Sequence, residues 1–460
     1  MKRDGDYIPF VNSGSYPIRG GNTVQPLVDG EPAFRCICEA VEAAQKSIWV
    51  TIAFIEQNIQ MPDGRGTFFD VLDQAKDRGL DVRVIFWRHL GYEAMRPGEH
   101  FPGIKENREW LKARGSQFLA RWDQATGQYC QHQKSWLIDA GEESEIAFVG
   151  GINLDTGSIV SPGHTPSPTG STHDLYIKLQ GPVATDVHHN FVQRWNETSD
   201  RTQADGNWPD AMSTDSLEFP DIVSRPQGNI PVQIQRTVRR GSYSDTTPTP
   251  GAEPFDIAGG ERGILDQYLL AIDAAKRTIY IEDQAIGSDQ IVDRLHMALE
   301  RGVEIVFLVP ADPNDQTVEA RKNPKTREFF ESIARLGEKD NFTFVGIAAN
   351  NGDGEYQNIY VHAKIALIDD VWCTIGSTNI ASRSFYGDTE LNASLWHEPT
   401  VHALRCELLK EHLGRDTSTL NDVEALRLYR EIAQGNTKRR QQGAPLQGLA
   451  FALNPATYGS

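Results

Sequence analysis

The sequence is poor in cysteine and in long apolar runs. It contains five cysteines in 460 residues, and this odd, sparse set predicts a reducing compartment and no disulfide framework. The longest apolar runs, such as residues 47–55, span about nine residues, too few to cross a bilayer. No apolar core follows the basic Lys2 and Arg3. We expect a soluble, cytoplasmic protein without a signal peptide or transmembrane segment, in which contact with a membrane would be peripheral.

Positive charge is also scarce. The chain carries 45 lysines and arginines against 63 aspartates and glutamates, which gives a formal net charge of −18. Such a surface repels the phosphate backbone of nucleic acids unless basic groups gather in one cleft. We therefore do not expect a nucleic-acid partner, although a local phosphate-binding pocket is compatible with this composition.

Metal-binding spacings are missing as well. Cys36 and Cys38 have no second cysteine or histidine pair at the spacing of a zinc site, so we expect no metal and no cofactor. The content of 39% hydrophobic and 23% charged residues is that of a globular protein. The length predicts two or three domains or one duplicated unit.

The chain contains an internal repeat. Residues 40–50 (AVEAAQKSIWV) match residues 271–281 (AIDAAKRTIYI), and residues 75–86 match residues 298–309. In each case a helical pattern runs into an apolar strand, and the second pair has a glycine at the expected helix C-cap. Alternating strands and helices predict an α/β fold with mixed, largely parallel sheets. Two copies predict a duplicated fold with a pseudo-two-fold axis.

Residues 201–229 separate the two copies. This stretch is rich in Asp, Gly and Pro and lacks periodicity, as is typical of a linker. We place the first lobe at residues 1–200 and the second at residues 230–460. The second lobe is expected to end in a helical region that reaches about Gln434, followed by an irregular tail.

The strongest signal is a motif that occurs once in each copy. Residues 132–139 (HQKSWLID) and residues 362–369 (HAKIALID) both read H-x-K-x4-D. Each is followed by a glycine-rich turn that ends in asparagine, GGIN at 150–153 and GSTN at 376–379. One such match occurs easily by chance, whereas two in register with a repeat indicate a shared function.

The spacing within the motif has a physical interpretation. The residues after each lysine are apolar, which predicts a buried strand, and residues two apart on a strand share a face. His132 and Lys134 should therefore project together, as should His362 and Lys364. The aspartate has the opposite parity and is better placed to brace a neighbouring backbone. Two facing copies would supply fixed positive charge, a nucleophile and an acid, which suits the cleavage of a phosphodiester.

These residues resemble the doubled motif of the phospholipase D superfamily. The resemblance extends from about residue 20 to about residue 414, and residues 173–196 and 261–284 are similar to its lipid-acting branch. It implies two α/β/α lobes with the active site at their interface, a phosphohistidine intermediate and no metal in the chemistry. The GGIN turn departs from the commoner G-S-x-N, which implies that one hydroxyl contact to phosphate is missing there.

The resemblance also implies roles for single residues. His132 would be the nucleophile and His362 the general acid, and the acidic residues Asp174 and Glu390 would each hold the Nδ1–H of the histidine from the other half, leaving Nε2 to react. The implied catalytic set is His132, Lys134, Asp139, Asp174, His362, Lys364, Asp369 and Glu390, and the implied phosphate-binding set is Gly151, Asn153, Ser377 and Asn379.

The first copy has an insert at residues 156–172, rich in Gly, Pro, Ser and Thr. Its place between the motif and Asp174 predicts a loop near the cleft. Two interpretations stay open: a lid or headgroup-selecting loop, and a passive surface loop.

Three functions stay open from the sequence. The favoured one is a phosphodiesterase or phosphatidyltransferase that acts on phospholipids, with water or an alcohol as acceptor, giving phosphatidic acid or headgroup transfer. A nuclease on the same core is the alternative, and the acidic charge counts against it. A non-catalytic binding protein is the third, and two intact motifs count against it. Because both motifs lie on one chain, we expect a monomer.

Overall fold

A computed structural model describes residues 8–89, 101–125, 127–199, 215–352 and 354–460. Lys2, Arg3 and about half of the predicted linker, residues 201–214, lie outside these ranges, so the lobe boundaries stay a proposal. The strands are β1 (Arg19–Val28), β2 (Ser47–Ile52), β3 (Asp81–Arg88), β4 (Leu119–Gln124), β5 (Ser135–Ile138), β6 (Ile146–Gly150), β7 (Thr172–His173), β8 (Leu175–Gln180), β9 (Ile230–Val238), β10 (Glu261–Arg262), β11 (Thr278–Asp283), β12 (Glu304–Leu308), β13 (Phe342–Gly352), β14 (Glu355–Val361), β15 (Lys364–Ile368), β16 (Trp372–Gly376), β17 (Glu390–Trp396) and β18 (Ala450–Ala452). The helices are α1 (Gly30–Ala43), α2 (Phe68–Asp77), α3 (Lys105–Arg114), α4 (Ala184–Glu197), α5 (Gly263–Ala274), α6 (Asp289–Glu300), α7 (Asp315–Lys322), α8 (Arg327–Leu336), α9 (Ser382–Tyr386), α10 (Glu398–Leu413) and α11 (Asp422–Gln441).

The repeated segments fold alike. Helix α2 begins at a capping box in which the Thr67 hydroxyl accepts the Asp70 N–H while the Asp70 carboxylate accepts the Thr67 N–H. The turns after α2 and α6 contain Gly79 and Gly302, with φ of 88° and 85°. Only glycine adopts this left-handed conformation without strain, which explains the glycine in both copies.

Each copy builds one sheet with the same strand order. In the first the order is β4, β3, β2, β5, β6, β8, β1, and in the second it is β13, β12, β11, β15, β16, β17, β9. Strand β1 also pairs with β9, which joins the two sheets. The α/β fold and its duplication are therefore confirmed.

The expectation of largely parallel sheets is wrong. In each sheet only the first two of these pairs are parallel, and the remaining four are antiparallel. The reason lies in the connections, because short loops join β5 to β6 and β15 to β16. Such loops permit only antiparallel pairing, whereas parallel neighbours need a longer crossover.

Helices cover both sheets. Helices α1 and α2 pack on one face of the first sheet, and α5, α6 and α8 pack on one face of the second. The opposite faces share the largest core, where side chains from β6 and β8 meet side chains from β16 and β17 beside α4, α10 and α11. The motif strands β5 and β15 thus lie in the middle of the molecule.

The C-terminal region is more regular than expected. Helix α11 continues beyond Gln434 to Gln441, and the tail then adds β18 to the edge of β13. Within the part of the chain that the structure describes, no helix has the length and apolarity needed to span a membrane.

Candidate active site

The two motif histidines lie just ahead of the strands that follow them. His132 precedes β5 and His362 precedes β15, so each strand begins later than the pattern suggested. Each histidine is anchored by the other half of the chain, because the His132 N–H donates to the carbonyl of Thr389 at 2.9 Å and the His362 N–H donates to the carbonyl of His173 at 2.9 Å. Both side chains are nearly buried.

Two carboxylates orient the imidazoles across the halves. Nδ1 of His132 lies 2.9 Å from Oε2 of Glu390, and Nδ1 of His362 lies 2.6 Å from Oδ2 of Asp174. Since each Nδ1 is bonded to a buried carboxylate, the neutral imidazole carries its proton there and Nε2 presents a lone pair. This is the cross-half pairing that the resemblance implies.

The motif lysines lie beside these histidines. Nζ of Lys134 donates to the carbonyl of His132 at 3.0 Å, and Nζ of Lys364 donates to the carbonyl of His362. Each lysine ammonium carries three N–H groups that can donate hydrogen bonds. Burial, followed by the neighbouring Lys364, lowers the pKa of Lys134 to about 8. Lys134 therefore keeps a buried positive charge at neutral pH, and burial lowers the pKa of Lys364 as well.

The ionisable groups of the site influence one another. Burial, followed by the ammoniums of Lys134 and Lys364, lowers the pKa of His132 and of His362 well below the usual value. Burial raises the pKa of Asp174 to about 7. It also raises the pKa of Glu390 to about 7. The imidazoles are therefore neutral near pH 7, as a nucleophile requires.

The two glycine-rich turns complete the site differently. The hydroxyl of Ser377 donates to Oε2 of Glu390 at 2.6 Å, so it holds the carboxylate that holds His132. Gly151 takes the same place in the first copy, where a Cβ would lie 2.5 Å from Oδ1 of Asp174. The structure thus brings both residues to the carboxylates.

The asparagines that end these turns are satisfied only in part. Oδ1 of Asn153 and Oδ1 of Asn379 are buried and have no hydrogen-bond partner among the described residues. The assignment of oxygen and nitrogen in such an amide rests on its partners. Each carboxamide therefore retains a polar atom that a bound substrate or water can satisfy.

The motif aspartates lie at the far ends of their strands. Asp369, after β15, accepts the backbone N–H groups of Lys276, Arg277 and Thr278, each at 2.8 Å. Asp139, after β5, accepts the corresponding N–H groups of residues 45–47. The structure does not bring these two residues to the histidines, and we assign them the bracing role that their parity indicates.

An aromatic recess beside His132 was missed by the sequence reasoning. The ring of Phe54 lies 6.1 Å from the ring of His132 and 5.0 Å from Trp87. Phe54 and Trp87, together with His89 and Phe101, line about 220 Å³ of space. In the sequence, Phe54 belongs to the apolar run at residues 47–55, and no local pattern predicts that it lies next to the motif.

The insert at 156–172 is fixed at several points. Its Val160 carbonyl accepts the Glu31 N–H at 3.0 Å, and its Ser167 N–H donates to the side chain of Gln357 at 2.7 Å. His164, inside the insert, is buried beside Asp29, His173 and Glu411. These contacts favour a fixed wall over a freely moving lid.

Family models match both halves of the chain. The model described as "Cardiolipin synthase, PLD-like domain" matches residues 37–193 and 268–411, which together form more than half of the chain. A second model, "Phospholipase D", matches residues 165–310. The matched regions contain both motifs and both carboxylates.

Curated relatives are similar over most of the chain. Phospholipase D alpha 1 of Arabidopsis thaliana is 23% identical over 555 residues, covering 90% of this chain and 67% of the relative. Cardiolipin synthase 1 of Staphylococcus epidermidis is 24% identical over 389 residues, covering 84% of this chain and 66% of the relative. The chain thus spans about two thirds of the length of these relatives.

A solved structure shares the fold. The crystal structure of phosphatidylserine synthase from Haemophilus influenzae has a TM-score of 0.55 and 13% identity, and the match covers 91% of this chain and 94% of that chain. At this identity the likeness concerns the fold alone.

Proposed function

The chain belongs to the phospholipase D superfamily, in its lipid-acting branch, and from this premise we propose that it is a phosphodiesterase or phosphatidyltransferase that acts on phospholipids through a phosphohistidine intermediate. The observation that carries the proposal is the reciprocal pairing of His132 with Glu390 and of His362 with Asp174. Two oriented imidazoles can divide the work of nucleophile and acid–base catalyst.

The first step forms a covalent bond to the protein. Nε2 of His132 attacks phosphorus, and the bond from phosphorus to the oxygen of the leaving alcohol breaks. The protonated Nε2 of His362 gives its proton to that oxygen. Lys134 and Lys364 stabilise the charge that develops on the phosphoryl oxygens, because buried donors act strongly where water is excluded.

The second step restores the protein. The now neutral Nε2 of His362 takes a proton from water or from an alcohol, whose oxygen attacks phosphorus and breaks the bond to His132. Water yields phosphatidic acid, and an alcohol yields a phospholipid with a new headgroup. Both outcomes use the same atoms, so the acceptor depends on what reaches His362.

Substrate binding can supply the proton that this scheme requires. Burial, followed by the ammoniums of Lys364 and Lys134, lowers the pKa of His362 in the free protein. A phosphodiester anion between the two ammoniums would offset their charge and raise the pKa of His362 toward its usual value. The acid would therefore acquire its proton as the substrate binds.

The aromatic recess supports a lipid substrate. The ring of Phe54 lies 6.1 Å from that of His132, and Trp87 lies beside Phe54. Both line the recess, where the glycerol backbone or the start of an acyl chain could pack. The net charge of −18 does not favour the polyanionic backbone that a nuclease must bind.

One assay compares these possibilities. Purified protein is incubated with phosphatidylcholine vesicles containing a primary alcohol and, in parallel, with single-stranded DNA. We expect phosphatidic acid, the phosphatidyl alcohol or both, and intact DNA. Cleavage of DNA without a lipid product would make the chain a nuclease. A lack of any product, from protein that circular dichroism shows to be folded, would contradict an enzymatic role.

A further inference from the structure

A second cluster of ionisable side chains lies next to the candidate active site. Asp29, His164, His173 and Glu411 each direct one ligand atom into it, and these atoms all lie within 4.8 Å of one another. The side chains of Asp29, His164 and His173 are fully buried, and that of Glu411 is 6% exposed. The proposed reaction does not use these side chains, so their assembly needs another explanation.

The distances in the cluster fit a tetrahedral ion. Nε2 of His164 lies 3.2 Å from Oδ2 of Asp29, 3.3 Å from Oε1 of Glu411 and 3.4 Å from Nδ1 of His173. Nitrogen and oxygen ligands at about 2.0–2.1 Å from a tetrahedral zinc ion are separated by roughly 3.3 Å. The three distances from His164 therefore match those around one tetrahedral ion, and all four ligand atoms lie within 4.8 Å of one another.

The remaining ring nitrogens are fixed as metal-binding histidines require. Nδ1 of His164 is bonded to the Ser171 hydroxyl at 2.6 Å, and Nε2 of His173 is bonded to Oε2 of Glu282 at 2.9 Å. When Nδ1 of His164 carries the proton, its Nε2 presents a lone pair to the cluster. Nδ1 of His173 donates to Oδ1 of Asp29 at 2.8 Å, so an ion would displace this proton before the nitrogen could act as a ligand. A carboxylate or hydroxyl behind a ligating histidine is the usual outer contact of a metal site.

One buried oxygen in the cluster lacks a donor whenever Nε2 of His164 carries a lone pair. Oδ2 of Asp29 is inaccessible to solvent and lies 3.2 Å from that nitrogen, in a geometry that is not a hydrogen bond. A buried carboxylate oxygen without a donor is costly. A cation between Asp29 and Glu411 would satisfy this oxygen and offset both negative charges.

From these contacts we propose that Asp29, His164, His173 and Glu411 bind one divalent transition-metal ion of the zinc class. Mixed imidazole and carboxylate ligands suit such ions, whereas Ca²⁺ and Mg²⁺ prefer oxygen. The site is distinct from the motif histidines, and the inference does not depend on the proposed function.

The ion would hold together segments that support the active site. The ligands come from the start of α1, the insert, β7 and α10. The carbonyl of His173 accepts the N–H groups of His362 and Ala363 at 2.9 and 3.0 Å, and the next residue, Asp174, holds the imidazole of His362. The metal ligands are therefore positioning residues for His362, and the ion takes no part in bond cleavage.

The wild-type protein provides the first test. Elemental analysis of the full chain, purified without added metal or chelator, should find one equivalent of a transition metal. Prolonged dialysis against a strong chelator should remove it and lower Tm, and Zn²⁺ should restore Tm. Co²⁺ added to the stripped protein should give the visible absorption of tetrahedral cobalt. Failure to bind either ion, at a Tm that chelation leaves unchanged, would overturn the proposal in favour of a hydrogen-bonded Asp29–His173–Glu282 array.

Variants provide the second test. His164→Asn should weaken Zn²⁺ binding more than 100-fold, and Ser171→Ala, which removes only the outer contact, should weaken it roughly 10- to 100-fold. His188→Asn is the matched control, because His188 is also buried and paired with a carboxylate, that of Glu145, but lies outside the cluster. Equal affinity in His164→Asn and the control would place the ion elsewhere and refute the site. If His164→Asn does not fold, the Zn²⁺ affinity of Ser171→Ala decides between the two outcomes. Weaker binding than in the control supports the site, and equal binding refutes it.

Discussion

His132 and His362 have nearly the same surroundings, so the leaving group is the means of separating their roles. His132→Ala removes the attacking atom and should abolish turnover of every substrate. His362→Ala should slow formation of the intermediate from a phospholipid by about 10²–10⁴-fold, the usual contribution of a general acid. It should slow the burst with a p-nitrophenyl phosphodiester much less, because that leaving group needs no proton.

Rapid quenching with labelled substrate checks this assignment. We expect acid-labile phosphate on His132 in the His362→Ala variant, with His188→Asn as the reference. Label on His362 in the His132→Ala variant, together with retained activity on the activated ester, would reverse the two roles. A wild-type protein that never carries label under trapping conditions would argue against the covalent mechanism.

The pH profile depends on the same group of charges. Because burial and the ammoniums lower the pKa of His132, kcat/KM should fall only on acidification well below pH 6.5, as the nucleophile becomes protonated. On the alkaline side, His362 must take up a proton as the substrate binds, so kcat/KM should decline with rising pH from the lowered pKa of His362 onward. Lys134, with a pKa of about 8, then loses its proton and its contact with phosphate, so the decline should steepen above about pH 8. A pH–rate titration of the wild type would test both limbs, which belong to the coupled site as a whole.

The alkaline limb of the kcat profile should lie at a different pH from that of kcat/KM. Bound phosphate stabilises the ammonium of Lys134, so the alkaline decline of kcat should occur at higher pH than that of kcat/KM. A profile that stays flat from roughly pH 5 to 9 would contradict catalysis by the paired histidines.

At the scale of elements, Asp369 connects β15 to the start of β11. Replacing it with alanine removes the acceptor of three backbone N–H groups and should lower the free energy of unfolding by about 3 kcal/mol. Asp369→Asn should cost less, because it retains one acceptor oxygen and tolerates the φ of 55°. Denaturant unfolding is the measurement.

A surface carboxylate supplies the control for this prediction. Asp273 lies on the exposed side of α5 with a long ion pair to Arg294, and its replacement by alanine should change stability by less than about 0.5 kcal/mol. If Asp369→Ala were as stable as Asp273→Ala but lost its activity, Asp369 would act in catalysis rather than in bracing.

Features that depend on adjacent residues could be predicted from the sequence, whereas features that depend on distant residues could not. The strands β5 and β15 and the glycines 79 and 302 could be predicted because apolar runs and left-handed turns depend on adjacent residues. The antiparallel order of the sheets could not be read from the same apolar strands, since it depends on which neighbours the loops allow. The metal-ligating cluster draws on residues 29, 164, 173 and 411, which no motif spacing links.

At the scale of the whole molecule, the protein itself supplies positive charge for the proposed reaction at phosphorus. Lys134 and Lys364 are fixed beside the histidines, so bond cleavage should not require a metal ion. After exhaustive chelation, lipid turnover should persist at a temperature at which circular dichroism shows the stripped chain to be folded. Complete loss of activity in that folded state, reversed by a divalent ion, would contradict this expectation.

The exchanged carboxylates have an evolutionary consequence. Each histidine is completed by the opposite copy, which is the arrangement of two identical subunits around a two-fold axis. In an ancestor with a single motif, the same pairing would require a homodimer. The two copies now differ at paired positions: one has Ser377 with the longer Glu390, and the other has Gly151 with the shorter Asp174. A side chain at residue 151 would meet Oδ1 of Asp174 at 2.5 Å, so the two members of a pair should change together rather than singly.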